Sequence, residues 1–341
     1  MLTVVILFLF FAIVLYFLLG GADFGAGIIE LFTSDKNRHR TRRTMYQAIG
    51  PIWEANHMWL VIAIVILFVG FPDIYSQMCT YLHIPLLIML MGIIARGTAF
   101  AFRNYDAIKG EYTQKLYNHI FVYSSVVTPL FLGIIAGSAI SGHIDFNATN
   151  FLSAYVYSWL NWFSIAVGLF TVALCGFLAA IYLIGEADDQ KDVERFVRKA
   201  KGANVAALIC GGLVFLAAEI EHVHLARWIF GNAISLTAVL AASVSLVLLW
   251  VTISKGKRFI ARIFAAFQVT MILLSVGYRH FPNFIILKGG QNMSLLVDHA
   301  STKTIDDLGI ALLIGSLFIL PALFYLYYSF KDKANAEDDS H

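Results

Sequence analysis

Long apolar runs alternate with short polar connections along this chain, and the lengths of the runs set its class. Nine runs are long enough for an apolar helix to cross a bilayer: 2–32, 51–71, 79–102, 118–140, 158–184, 203–222, 233–253, 259–279 and 306–330. The first would measure about 45 Å as a continuous helix, so it tilts or carries its Gly-rich end out of the hydrocarbon. Pro129 and Pro321 fall inside runs and are expected to kink them. The pattern predicts an all-α polytopic membrane protein, with one transmembrane domain over 1–330 and a polar tail at 331–341.

The polar connections give the runs a direction. With an odd number of crossings and the N-terminus outside, twenty of the 24 Lys and Arg residues fall on the inner side, leaving Arg227, Arg279, Lys288 and Lys303 outside. Cytoplasmic connections carry such an excess, so the reading puts the N-terminus outside and the C-terminal tail in the cytoplasm. The connections are short except at about 280–305 outside and 185–202 inside. The latter, with Glu186, Asp188, Asp189, Lys191, Asp192, Glu194 and Arg195, reads as a solvated charged linker or short amphipathic helix.

Composition agrees with the pattern. A chain of 341 residues that is 59% hydrophobic and only 13% charged has too much apolar surface for a soluble fold. A net charge of +2, with no basic arm interleaved with aromatics, excludes nucleic acid as a partner. Cys79, Cys175 and Cys210 stand singly and read as packing residues rather than disulfide or metal ligands. The first run lacks a basic leader and a small-residue cleavage site, so it reads as a retained helix. No connection is large enough for a soluble catalytic domain. Any chemistry therefore sits among the helices or in a partner.

Ionisable residues inside apolar runs are costly and mark function. Asp23 lies in Gly-Ala-Asp-Phe-Gly-Ala-Gly at 21–27, where Gly21, Gly25 and Gly27 are expected to let a neighbouring helix approach closely. Glu54, Asn56 and His57 lie in Ile-Gly-Pro-Ile-Trp-Glu-Ala-Asn-His-Met-Trp-Leu at 49–60, at about the depth of Asp23. Pro51 and Glu54 suit a helix start, but a helix dipole needs one acid rather than a polar cluster between Trp53 and Trp59. Glu54 and His57, three apart, share a helix face, so the spacing predicts a shared proton and an inner proton path through Asp23, Glu54, Asn56 and His57. Arg96 ends the third run, where it snorkels to the headgroups or neutralises a carboxylate; the first is the default for an isolated run end. None of the ten histidines lies near mid-membrane, so the chain offers no bis-His haem site there, a pair such as His83 with His222 near the outer face being the alternative. The cluster Glu219, Glu221, His222 and His224 sits at a run end and reads as a solvated rim rather than a metal site.

These two motifs, together with His-Ile-Pro-Leu-Leu-Ile-Met-Leu-Met-Gly-Ile-Ile-Ala-Arg-Gly at 83–97, Phe281-Pro282 and Asp298-His-Ala-Ser301, resemble subunit II of the cytochrome bd-type quinol oxidases over residues 1 to about 330. The resemblance implies two four-helix bundles plus one peripheral helix in a bacterial cytoplasmic membrane. It implies a large partner subunit carrying haem b and haem d, and in some members a small extra subunit. Quinol and dioxygen would be the substrates of the complex, with no catalytic residue, metal or stoichiometric cofactor on this chain alone. It further implies that Asp23 and Glu54 match acids of a cytoplasmic proton channel. Trp53, with Asp23, would neighbour a structural quinone in some members. Three departures stand out. Gly20 occupies a position where the family commonly has an acid, Glu54 one where it has Asp, and His57 one where it has Glu or Gln. Two other classes make different demands. A secondary transporter would pair Gly- or Pro-broken helices in two halves with polar groups at the midplane, and a quinone-binding anchor of a dehydrogenase would carry bis-His haem ligands.

The charge asymmetry makes a direct prediction. A cysteine introduced at Asn292 should react with a membrane-impermeant maleimide added from outside, and one at Gln190 should be spared; the reverse labelling would invert the topology.

Overall fold

The computed structural model describes the chain except residues 51, 106–109, 188, 291 and 339–341, with side chains at 104–105, 327–328 and 330–338 also left out. Pro51, expected in the first turn of the second run, thus lies outside the described residues. Among those described, nine helices are long and apolar enough to cross a membrane. They are Leu2–Leu31, Trp53–Gly70, His83–Arg103, Glu111–Ser141, Trp162–Glu186, Gln190–Ile220, Ala233–Ser254, Arg258–His280 and Thr302–Leu326, the first to ninth spans below.

Side chains and glycines set several of the ends. Asn161, Asp189 and Asn232 each accept a backbone N–H two or three residues ahead and so start the fifth, sixth and seventh spans. Gly142, in the left-handed region at φ 75°, ends the fourth. Of the charged stretch at 185–202, read as a solvated linker or a short amphipathic helix, residues 190–202 are the amphipathic opening of the sixth span. Asp192, Val193, Phe196 and Ala200 are buried at helical spacing, and this inner face gives the segment the packing that its polar composition conceals. Pro129 and Pro321 lie inside helices that run on past them, and the helical backbone of the ninth span continues to Asp338. The first span contains a π turn at Tyr16–Gly20 that periodicity alone does not reveal.

The first span is central. It packs against the second, fourth, fifth and ninth, while the fifth also holds the sixth and eighth, and the seventh pairs with the eighth. The second meets the third where Trp53 lies over Gly97 and against Phe100. Spans one to four and five to eight thus form two bundles joined where the first and fourth meet the fifth, and the ninth lies at the rim against the first and second.

Polar contacts sort the connections onto two faces as the alternation requires. On the basic face, Arg40 bonds Asp189 at 2.7 Å, Arg258 bonds the Ala187 carbonyl, and Lys199 bonds the Phe32 carbonyl. The Arg40 guanidinium and the Lys191 N–H hold the Asp189 carboxyl below its ordinary range. On the opposite face the N-terminal amine approaches Asp306, His143 meets Glu221, and Lys288 meets Asp145. There a short antiparallel ribbon, Asn283–Ile285 with Met293–Ser294, turns through left-handed Gly289 and Gly290 and ties to the end of the fourth span through the Ile286 N–H and the Ala139 carbonyl.

Glycines permit the closest approaches. A Cβ on Gly25 would overlap the Cys175 carbonyl of the fifth span, and one on Gly27 would overlap the Ser125 hydroxyl of the fourth; Gly21 faces the Cys175 sulfur. The Gly21/Gly25 pair therefore seats the first span on the fifth, and Gly27 seats it on the fourth. Gly202, by contrast, has open space around it. Gly25→Leu should reduce the amount of monodisperse protein extracted from membranes severalfold, whereas Gly202→Ala should leave it unchanged or raise it; equal behaviour of the two would contradict this packing.

Candidate functional site

Asp23 lies two turns from the basic end of the first span and is almost wholly enclosed, at 1% exposure. The first span lacks a cation near it, and the third supplies one. Arg96 donates from Nη1 to Asp23 Oδ2 at 2.7 Å and from Nη2 to Oδ1 at 2.7 Å. Nη2 also reaches the Asp23 carbonyl at 2.8 Å, and Nε donates to the Ser125 hydroxyl at 3.1 Å. The guanidinium lies against the rings of Phe24 and Phe121, with Cζ 5.2 and 4.9 Å from their centroids. Both carboxylate oxygens and all three guanidinium nitrogens are thus engaged, the geometry in which a buried pair offsets its desolvation.

His57 joins this pair from the second span. Its Nε2 is 3.3 Å from Asp23 Oδ2, and its ring is packed by Tyr16, Phe24 and Trp53. The π turn brings Tyr16 into this ring cluster, edge-on to Phe24. The imidazole is 16% exposed as a side chain, while its Nδ1 is buried and has no hydrogen-bond partner among the described residues.

A second buried pair lies one heptad closer to the basic face. Glu30 is fully buried and accepts from Arg103 Nη1 at 3.0 Å and from Arg42 Nε at 2.5 Å. Arg103 caps the other side of the Phe121 ring, 4.2 Å from its centroid. Asp23 and Glu30 are seven apart on the first span, and Arg96 and Arg103 are seven apart on the third, so the two pairs form successive rungs between parallel helices.

The structure brings Asp23 and His57 together and sets Glu54 apart. Glu54 sits in the first turn of the second span with its side chain exposed, one turn from His57, while the imidazole turns inward to Asp23 among the aromatic rings. The carboxylate that faces His57 is therefore Asp23 and not the expected Glu54. Asn56 is buried on the same helix, and Trp53 fills the notch at Gly97. Arg96 does not snorkel to the headgroups as expected of an isolated run end. At 2% exposure it points into the bundle, because the buried Asp23 supplies the counter-charge that a run considered alone does not reveal. Glu30 and its two arginines escaped the sequence reading altogether. The signal that finds them is the matched seven-residue spacing of acids on one run and arginines on another.

On the opposite face the acidic and imidazole cluster is dispersed. Glu221 accepts from the Trp162 N–H at 3.0 Å and faces His143 Nε2 at 3.1 Å, whereas His224 turns to the His222 carbonyl. No group of three or more His, Cys, Asp or Glu side chains is placed for a metal among the described residues.

Comparison with known proteins bears on the chain as a whole. Residues 1–330 match the family described as cytochrome bd terminal oxidase subunit II. The chain is 26% identical over 334 residues to cytochrome bd ubiquinol oxidase subunit 2 of Bacillus subtilis, covering 95% of this chain and 94% of that one. It is 24% identical to cytochrome bd-I ubiquinol oxidase subunit 2 of Escherichia coli K12, covering 83% and 81%. Its fold matches a chain of the bd oxidase structure from Geobacillus thermodenitrificans with a TM-score of 0.71 at 20% identity, over 96% of this chain and 98% of that one. With nine helices among the described residues long and apolar enough to cross a membrane, and a match to this family nearly end to end, the chain belongs to it: it is subunit II of a cytochrome bd terminal oxidase, an oxidoreductase complex of the bacterial inner membrane.

Proposed function

We propose that this subunit supports a haem-bearing large subunit in a complex that oxidises quinol and reduces dioxygen to water, and that it delivers protons to that reaction through His57. The observation that carries the reading is the asymmetry of the buried site. Asp23 is locked by Arg96 on both oxygens, while the His57 ring beside it is partly exposed and its buried Nδ1 makes no hydrogen bond among the described residues. A carboxylate held in this way serves as a fixed counter-ion rather than as a carrier. The imidazole is the group that can take up a proton on one nitrogen and release it from the other. Asp23 then orients the ring, as a carboxylate does for a catalytic histidine.

Glu54, exposed at the start of the same helix, gathers protons at the basic face and passes them one turn along to His57, with Asn56 as a neutral neighbour in the second span. The imidazole thereby occupies the role that the resemblance gives to acids, including the one absent at Gly20. A quinone, where the complex retains one in this subunit, would lie against the Trp53 ring rather than bond to Asp23, whose oxygens are already committed.

The haems are assigned to the partner subunit. The imidazoles described here engage local groups: His83 bonds the Thr80 carbonyl, His119 that of Lys115, His280 that of Val276 and His299 that of Ala300, while His57 and His143 face carboxylates. These histidines lie in the connections or towards the ends of the spans rather than facing one another at mid-membrane, so no step of electron transfer is routed through this chain.

His57→Gln should slow steady-state oxygen consumption with excess quinol by about tenfold or more, normalised to haem content, because the amide keeps a polar shape but cannot carry the proton. Glu54→Gln should slow it only two- to threefold, on the order expected of a group that concentrates protons without forming the sole route. Small imidazoles in the buffer should restore part of the His57→Gln loss. Unchanged turnover in the His57 variant would assign proton uptake to the partner and leave this subunit as a scaffold.

A further inference from the structure

We propose that the helix between the first and second spans, Asp35–Ile49, is a binding surface for anionic phospholipid headgroups on the basic face of the membrane. Its sequence is dense in cations, and the structure divides them into two sets. Arg38 pairs with Asp35, Arg40 with Asp189 and Asp192, and Arg42 with the buried Glu30. Arg40 and Arg42 tie the helix to other elements, and Arg38 is paired within the helix itself. Lys36, His39 and Arg43 are exposed and make no hydrogen bond, ion pair or ring contact among the described residues.

The second set is not scattered. Positions 36, 39 and 43 follow the i, i+3, i+7 spacing of one helix face, opposite the buried Thr41, Thr44 and Met45 that seat the helix on the protein. The spans that flank it end at Leu31 and begin at Trp53, which holds the helix at headgroup depth. Phe32 just before it is 75% exposed and Tyr46 near its end 38% exposed. A cationic stripe between exposed aromatics is the pattern of a helix lying in the interface of an anionic bilayer. Arg43 would suit a protein interface as well, but Lys36 is of a type depleted there and no apolar side chain lies at the centre of the stripe, so lipid is the better fit.

The test uses the purified oxidase with its partner subunit. It is reconstituted into phosphatidylcholine vesicles containing a minor fraction of spin-labelled phosphatidylglycerol, and the motionally restricted lipid population is measured. The K36Q/R43Q variant should lose affinity for phosphatidylglycerol relative to phosphatidylcholine by on the order of thirty-fold at this site, as expected for two basic side chains at an anionic surface. The K36R/R43K variant should retain the wild-type selectivity, and both variants should keep their haem content and subunit ratio. Unchanged lipid selectivity in K36Q/R43Q would overturn the proposal. So would loss of a subunit from that variant alone, which would make the stripe a protein contact.

Discussion

Charge buried in lipid must be neutralised by charge, and this constraint organises the first three spans. Asp23 and Glu30 project from one face of the first span, and Arg96 and Arg103 meet them from the third. Removing one partner of such a pair strands the other in a medium of low polarity, at a cost of about 3–5 kcal/mol. The equal spacing of the two rungs admits one register between the helices. A slip of a single turn would separate both pairs at once. Phe121 of the fourth span lies between the two guanidiniums, so the same ladder also positions that helix. Gly21 and Gly25, on the other side of the first span, let the fifth span approach it closely, with Gly25 against the Cys175 backbone, and Gly27 makes room for the Ser125 side chain of the fourth.

This rigid frame separates two tasks that a list of acids would merge. Arg96 fixes the charge of Asp23, and the fixed charge gives His57 an electrostatic reason to be where it is. In the proposed path the mobile proton belongs to the imidazole, whose Nδ1 makes no hydrogen bond among the described residues. An imidazole in a ring cage of Tyr16, Phe24 and Trp53 is held in orientation while one nitrogen stays unengaged. In that proposal Asp23 serves as the fixed counter-ion.

Much of the fold could be read from the chain because hydrocarbon thickness is a one-dimensional rule. The nine runs and their alternation follow from length and from where Lys and Arg fall, and each helix contains most of its run. The misses are of a different kind. The sixth span begins at Gln190 rather than near 203, because its first turns are polar on one side and buried on the other. A separate helix, Pro72–Tyr81, lies between the second and third spans, set off by non-helical Phe71 before it and Leu82 after it. Asp23 and His57 stood out as costly residues, but Arg96 and Glu30 gained their meaning only from helices distant in sequence. Glu54 looked like the partner of His57 by spacing along one helix, yet the ring turned to a carboxylate on another. Local periodicity limits which side chains can meet, and the packing of helices decides which of them do.

The central claim is that Asp23 and Arg96 act as one buried unit whose worth lies in mutual neutralisation. A thermodynamic cycle on the purified oxidase tests it most directly, with the thermal unfolding midpoint measured for wild type, Asp23→Asn, Arg96→Gln and the double variant. Each single variant should lower the midpoint strongly, and the double variant should lie above both singles, because it leaves no unpaired charge in the bundle. Additive losses, with the double variant lower than either single, would contradict the account.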